Sequence, residues 1–227
     1  MVTTISAQNL FEHACHYGQK TSRWNPKMKQ FFHGSKKGVH IFDLNQTAEF
    51  LAILLNRIEE IVKAKKTILF VSTKPHTQDI LQQIKDEADM PIVSYKWVGG
   101  LLTNFSNIKE NILTMKKLRE EFATGAIKRY TKKEQSTIMK KLEKLENLFG
   151  GLVNMHRLPD ALFVVDGFKD KTALEEAKQL GIEILGIADS NANPDDYNYF
   201  VPANDDSRKS LELMLGHILT TILTNKK

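Results

Sequence analysis

Between His16 and Phe32 four cations, Lys20, Arg23, Lys27 and Lys29, are interleaved with Tyr17, Trp24, Phe31 and Phe32, and Asn25 lies among them. Lysine and arginine neutralise phosphate, while aromatic faces and the guanidinium plane stack on bases, so the mixture suits RNA. The same aromatic residues would also serve to pin a loop onto a folded body. A second candidate is YKWVGGLLTNF (95–105), where Lys96 and Trp97 precede Gly99 and Gly100. Paired glycines let a backbone pass close to something bulky, and Thr103 or Asn104 can cap a following helix. Such a turn can also cradle a nucleotide phosphate. Neither GxxxxGKS/T nor GxGxxG occurs, which favours a tight turn or close approach to an RNA backbone.

A third set is acidic: Asp166, Asp189, Asp205 and Asp206, with His16 as a conceivable companion. Carboxylates at the rim of a sheet can hold a divalent ion or accept a phosphoryl group. Turn formation at Asp166 and Asp189 and helix capping by Asp205 or Asp206 explain the same positions without chemistry. His13, Cys15 and His16 do not have a strong zinc spacing, and no second pair of ligands matches them. No serine sits in a nucleophile elbow. The expectation is therefore no catalytic residue, no metal and no cofactor.

The chain has 227 residues, enough for one sizeable domain with a smaller insert, and 41% hydrophobic with 26% charged residues is ordinary for a folded protein. One cysteine excludes an internal disulfide framework and fits a reducing compartment. The opening MVTTISAQNLFEH lacks a basic region followed by an apolar stretch, so no secretory signal is expected. A soluble, intracellular protein follows. The net charge of +5 is unevenly spread. Residues 1–42 carry six Lys/Arg and one acid, residues 104–149 eleven and six, and the remainder fifteen and twenty. Two basic segments on a mildly acidic body suit selected surfaces that face phosphate. A solvated lysine-rich surface explains the same distribution.

These groups need positioning elements, and from Lys66 onward strand and helix alternate. TILFVS (67–72), PIVSY (91–95), ALFVVDG (161–167), EILGIAD (183–189) and YFVPA (199–203) read as short buried strands. Residues 75–88, 172–181 and 205–224 read as helices, with Thr172 and one of Asp205 or Asp206 as caps and Gly181 as a stop. Residues 44–64 form an amphipathic helix, and VHIFD (39–43) an edge strand. Apolar strands separated by helices imply a parallel sheet covered on both faces, in the flavodoxin-like, doubly wound order 2-1-3-4-5. The second and third strands are too far apart for one crossover helix. Apolar residues stepping by three and four, Ile108, Ile112, Met115, Leu118 and Phe122, then Ile138, Leu142, Leu145 and Phe149, predict an inserted antiparallel coiled-coil hairpin. The expected organisation is an α/β body of residues 1–103 and 152–227, with a basic N-terminal loop at 16–38 and a helical hairpin at 104–151.

RWNPKM (23–28), KWVGGLLTNF (96–105), LEKLENLFGG (142–151), LPDALFVVD (158–166), IADSNANPDD (187–196) and VPANDD (201–206) occur in fixed order. Taken together they closely resemble the S-two family of bacterial-type small-subunit ribosomal proteins, from about residue 5 to 222. The resemblance implies a structural constituent of the small ribosomal subunit, not an enzyme. Its place would be between head and body, bound to small-subunit rRNA, joining late in assembly and supporting translation on a cytoplasmic or organellar ribosome. Neighbouring ribosomal proteins, including the mRNA-binding protein S-one, would be its partners. By motif match, rRNA contact falls on Arg23, Trp24, Asn25, Lys27, Lys29, Lys96, Trp97, Gly99, Gly100, Thr103 and Asn104. Departures from the family's usual pattern include Gln19 in place of a histidine and Lys96 in place of arginine, which loses the bidentate fork. The other reading of the fold is a flavodoxin-like nucleotide- or phosphate-binding enzyme or receiver working at Asp166 or Asp189.

Overall fold

The computed structural model describes residues 5–226. A short helix α1 (Ala7–Glu12) leads into β1 (Tyr17–Lys20), β2 (Phe32–Lys36) and β3 (Val39–Phe42). Helix α2 (Leu44–Lys63) follows, then β4 (Ile68–Val71), α3 (Gln78–Ala88), β5 (Ile92–Val93), α4 (Phe105–Ala123) and α5 (Lys132–Phe149). The chain closes with β6 (Ala161–Val164), α6 (Lys171–Gln179), β7 (Glu183–Ala188), β8 (Tyr199–Pro202) and α7 (Arg208–Asn225). Among the described residues no helix is long and apolar enough to cross a membrane.

Five parallel strands form the body in the order β5-β4-β6-β7-β8. Numbered along the chain these are 2-1-3-4-5, the doubly wound arrangement expected. Each strand is buried on both faces because successive side chains point to opposite sides. Ile68, Phe70 and Phe163 pack with α2, α3 and α7 in one core. Leu69, Val71, Leu162 and Val164 pack on the other face, with α6, the bases of α4 and α5, and Met28, Phe31 and Phe42 from the N-terminal region. Helices α4 and α5 contribute Ile108, Ile112, Met115, Leu145 and Phe149 to that second core and are tied by an Arg119–Glu146 hydrogen bond of 2.6 Å. The chain turns between them at Gly125, whose φ of +74° a residue with a side chain rarely adopts.

Three local expectations are corrected. VHIFD is no edge strand of the main sheet: β3 is the middle strand of a separate antiparallel sheet, β1-β3-β2. The predicted loop at 16–38 is thus largely folded, its β2–β3 hairpin closed by Lys37 and Gly38, both at positive φ as a tight two-residue turn requires. Helix α6 is capped at Asp170 rather than Thr172, and α7 at Ser207 rather than Asp205 or Asp206. The carboxylates of Asp170, Asp205 and Asp206 are drawn instead to partners distant in sequence.

Candidate nucleic-acid interface

The N-terminal basic segment is a short 3-10 helix, Pro26–Phe31, mounted on the sheet's rim. Pro26 starts it with a fixed φ, and the Asn25 side chain accepts from the Lys27 backbone N–H at 3.0 Å. The Asn25 backbone N–H donates to the Ser190 carbonyl at 2.7 Å, which docks the segment on the loop after β7. Met28 and Phe31 are buried, so Arg23, Lys27 and Lys29 face solvent. Lys27 is ion-paired to Asp195, with both side chains more than half exposed, so opening the pair for a phosphate costs little. Trp24 is half-buried, its ring 4.9 Å from His40 and 5.9 Å from Phe32. Lys27 and Lys29 border an open cleft of about 900 Å³ that Phe31, Phe50 and Phe200 also line.

The second segment, after β5, is shaped by a residue the sequence motifs did not mark. Trp97 is buried, and its indole N–H donates to the Glu176 carboxylate at 3.0 Å. The backbone N–H groups of Gly100, Leu102 and Thr103 and the Thr103 hydroxyl donate to the same carboxylate at 2.8–3.0 Å. Burial opposes ionisation of Glu176, but the donors from Thr103, Trp97, Leu102 and Gly100 outweigh it and hold the carboxyl below its usual range. Gly100 sits at φ +85°, the left-handed conformation that wraps the backbone around this anion. Lys96, Gly99, Thr103 and Asn104 are left exposed on the outer side. Trp97 is therefore an anchor. Asn104 is the N-cap residue of α4, without a side-chain bond to it.

The four acids meet at the rim, but around a lysine. Lys74 Nζ is 2.6 Å from Asp205, 2.7 Å from Asp206 and 3.1 Å from Asp166, and Lys74, Asp166 and Asp205 are all buried. Burial works against the ammonium, yet Asp205 and Asp166 more than compensate and raise its pKa. Burial and the neighbouring Asp189 and Asp166 push Asp205 well up, whereas contact with Lys74 and Gln19 keeps Asp206 low despite its partial burial. Asp189, Asp205 and Asp206 each offer an oxygen within 4.8 Å of the others, a set of the right chemistry for a hard cation. Those oxygens are already engaged: Gln19 Nε2 donates to Asp189 at 3.2 Å and to Asp206 at 2.6 Å, and Lys74 supplies the positive charge. His16 is not one of this set; its ring stacks on Phe11 at 4.5 Å and packs on Tyr17 at 4.0 Å.

The structure thus brings the eleven expected contact residues into two groups, one from 23 to 29 and one from 96 to 104, with α6 tied to both. Glu176 holds the second group, and Lys178 bonds Asp196 at 2.6 Å, next to the Asp195 that pairs with Lys27. Sequence reasoning missed Glu176, Lys74 and Asn204. A signal existed for the first: Glu176 lies three residues after Ala173 and beside Ala177 on the apolar face of α6, where a carboxylate requires donors. Asn204 accepts from the N–H groups of Asp206 and Ser207 at 2.9 and 3.1 Å, which closes the turn that leads into α7.

Comparison with known proteins agrees with the fold. A family model described as ribosomal protein S2 matches residues 10–225. The small ribosomal subunit protein uS2 of Helicobacter hepaticus is 38% identical over 222 residues, covering 98% of this chain and 84% of the relative. That of Wolinella succinogenes is 40% identical over 218 residues, covering 96% and 80%. With a five-stranded sheet in the doubly wound order, and identity at this level over nearly the whole length, the chain belongs to the ribosomal protein S2 family.

Proposed function

We propose that this protein is a structural constituent of the small ribosomal subunit that binds small-subunit rRNA between head and body and supports late assembly and translation on the cytoplasmic ribosome. The observation that carries the proposal is the pairing of exposed cations and open backbone with buried anchors. Lys27 and Lys29 stand on a helix fixed by Met28 and Phe31, with Arg23 in the loop that leads into it, and Lys96, Gly99, Thr103 and Asn104 on a turn fixed by Trp97 and Glu176. The cations would neutralise phosphate, Trp24 would stack or hold its loop, Asn25 would keep the helix in place, and Gly99 and Gly100 would admit the RNA backbone closely. Pre-shaped loops lose little conformational freedom on binding, so more of the contact energy appears as affinity.

Residues 104–151 act in this reading as a helical insert that grips RNA from the side. Lys116, Lys133 and Lys141 are exposed while the inner residues of α4 and α5 pack together. Neighbouring small-subunit proteins, with the mRNA-binding protein S-one among them, belong to the same reading, and family membership is their support. The chain is a structural component rather than an enzyme.

The test is sucrose-gradient sedimentation of native extract at low and high salt, with the parent and the triple variant Arg23→Ala, Lys27→Ala, Lys29→Ala. The parent should travel with the small subunit and be stripped at raised salt, because about six phosphate contacts lose roughly 10³-fold in affinity between 50 and 200 mM. Occupancy of the triple variant should fall clearly. Normal occupancy would sink the assignment of these three residues, and a parent at the top of the gradient in low salt would sink the ribosomal role.

A further inference from the structure

The segment Tyr95–Gly99 separates two clefts; Lys96 and Gly99 on it are among the contacts proposed above, but Tyr95 and the far walls of both clefts are not. One, of about 620 Å³, lies between this segment and the loop after β6, with Thr73, Lys169 and Asp170 in its wall. The other, of about 700 Å³, lies between the segment and α5, where Lys140, Lys144 and Asn147 face it beside one acid, Glu143. Tyr95 lines both and is 57% exposed, a large aromatic side chain left in water between two grooves. Lys96, Lys140, Lys144 and Lys169 line the same clefts, and among the described residues none of the four is in an ion pair. The walls are firm. Lys169 Nζ donates to the Thr73 carbonyl at 3.0 Å, the Thr73 hydroxyl donates to buried Asp170 at 3.1 Å, and Glu176 fixes Trp97 from behind.

We propose that these two clefts form a track for single-stranded RNA, with a base stacked on Tyr95 and the flanking phosphates met by Lys96 and Lys169 on one side and Lys140 and Lys144 on the other. The proposal rests on the rRNA-binding reading and adds to it a site, a strand state and four residues. An aromatic ridge between cationic grooves is what an unpaired strand requires, because every base has a face to stack and every linkage a charge to neutralise. A duplex keeps its bases stacked on each other and would leave Tyr95 unused. A mononucleotide would fill one cleft and leave the lysines of the other without a phosphate.

The test is fluorescence anisotropy of the full chain with a labelled twelve-nucleotide uridine RNA and a twelve-base-pair RNA duplex, at several salt concentrations. Tyr95→Ala should weaken single-strand binding by about tenfold, leave its salt slope and duplex binding unchanged, and be restored by Tyr95→Phe. Lys140→Ala with Lys144→Ala should lower the single-strand salt slope by about 1.4. Tyr95→Ala binding the single strand as tightly as the parent would overturn the track. So would displacement of the labelled strand by an equal concentration of adenosine monophosphate, which would mark a mononucleotide pocket. If the parent sediments with the small subunit yet binds no single strand, the track is wrong and the ribosomal role stands. If it binds the strand but stays off the subunit, the ribosomal role fails alone.

Discussion

Glu176 is the residue on which the 97–104 turn depends, and replacing it should have a measurable and pH-dependent cost. Glu176→Ala removes the acceptor for five donors. Two of these, the Trp97 indole N–H and the Leu102 N–H, belong to buried residues, while Thr103 is exposed and its groups can turn to water. A buried donor left without a partner costs about 1–3 kcal/mol, so two cost about 2–6. Water entering from the Thr103 side should bring the loss towards the lower part of that range, about 3 kcal/mol, against a total stability of roughly 5–15 kcal/mol. Urea unfolding followed by fluorescence is suited to this, because Trp97 is one of only two tryptophans. Hydrogen exchange at Gly100, Leu102 and Thr103 should accelerate while the strand amides keep their protection. The sign with pH follows from the lowered Glu176 carboxyl. A depressed folded value contributes stability that is present above the unfolded value of about 4.3 and lost as pH falls through the folded one. Glu176→Gln should therefore be less stable than the parent at pH 7, and the gap should close below about pH 4. Glu175→Ala, an exposed neighbour, is the control and should shift stability by less than about 0.5 kcal/mol. A gap of equal size at pH 7 and pH 3, or exchange rates in the turn like those of the parent, would refute the reasoning.

Two further outcomes follow from the rim and from the packing of β5. Lys74→Met strands Asp166 and Asp205 without their cation and should cost about 3–5 kcal/mol at neutral pH, read from the urea midpoint. Because burial and neighbouring acids have already raised the Asp205 carboxyl, it takes up a proton readily once Lys74 is gone, so the deficit should shrink as pH falls; an unchanged midpoint at pH 7 would remove Lys74 as the keystone. Gly151→Ala places a Cβ onto the Ile92 carbonyl and 2.6 Å from its Cγ1, so overpacking of about 1–3 kcal/mol should lower the thermal midpoint by about 2–12 °C. Gly99→Ala, with nothing within 4 Å, should leave that midpoint alone, and equal behaviour of the two variants would contradict the close contact.

The body of the fold was legible because its signals are local and strong. ILFV and ALFV are buried on both faces, and a four-residue apolar run between helices has few other places to go. The strand order followed from five apolar strands alternating with helices, for which the flavodoxin-like order is a common doubly wound arrangement. The N-terminal sheet was not legible for the opposite reason. β1 reads YGQK and β2 reads FHGSK, mostly exposed and without apolar alternation, so only pairing with β3 makes them strands. The caps failed through competition at long range. Asp205 and Asp206 have the right residue type for capping α7, but an ammonium 131 residues earlier holds their carboxylates. Among the residues proposed to meet RNA, the exposed lysines and glycines could be named from motifs, whereas Glu176 acts through partners 73–79 residues upstream.

The same rim explains why a flavodoxin-like sheet can serve as a scaffold rather than a reaction centre. In open α/β sheets the carboxyl ends of the strands are where ligands bind, and acids there are natural candidates for chemistry. Here each carboxylate has a structural partner. Asp166, Asp205 and Asp206 surround Lys74, Asp170 holds Thr73, and Asp189 accepts from Gln19 and from the Ser190 N–H at 2.5 Å. The Gln19 backbone N–H donates to the Ser190 hydroxyl oxygen at 2.7 Å, which binds β1 to the loop after β7. Gly18 permits this approach, since a Cβ there would stand 2.9 Å from the Ser190 Oγ. Lys74 and Thr73 thus occupy Asp166, Asp205 and Asp170 within the main body, while Asp189, Asp206 and Ser190 join the small N-terminal sheet to it through Gln19. That junction fixes the segment carrying Arg23, Lys27 and Lys29 against the body, as Glu176 fixes the segment carrying Lys96 and Gly99. Affinity for a highly charged partner depends on holding several cations in one geometry without ordering them anew at each encounter. In the proposed rRNA-binding role, the buried acids would supply that order in advance and act through the cations they place.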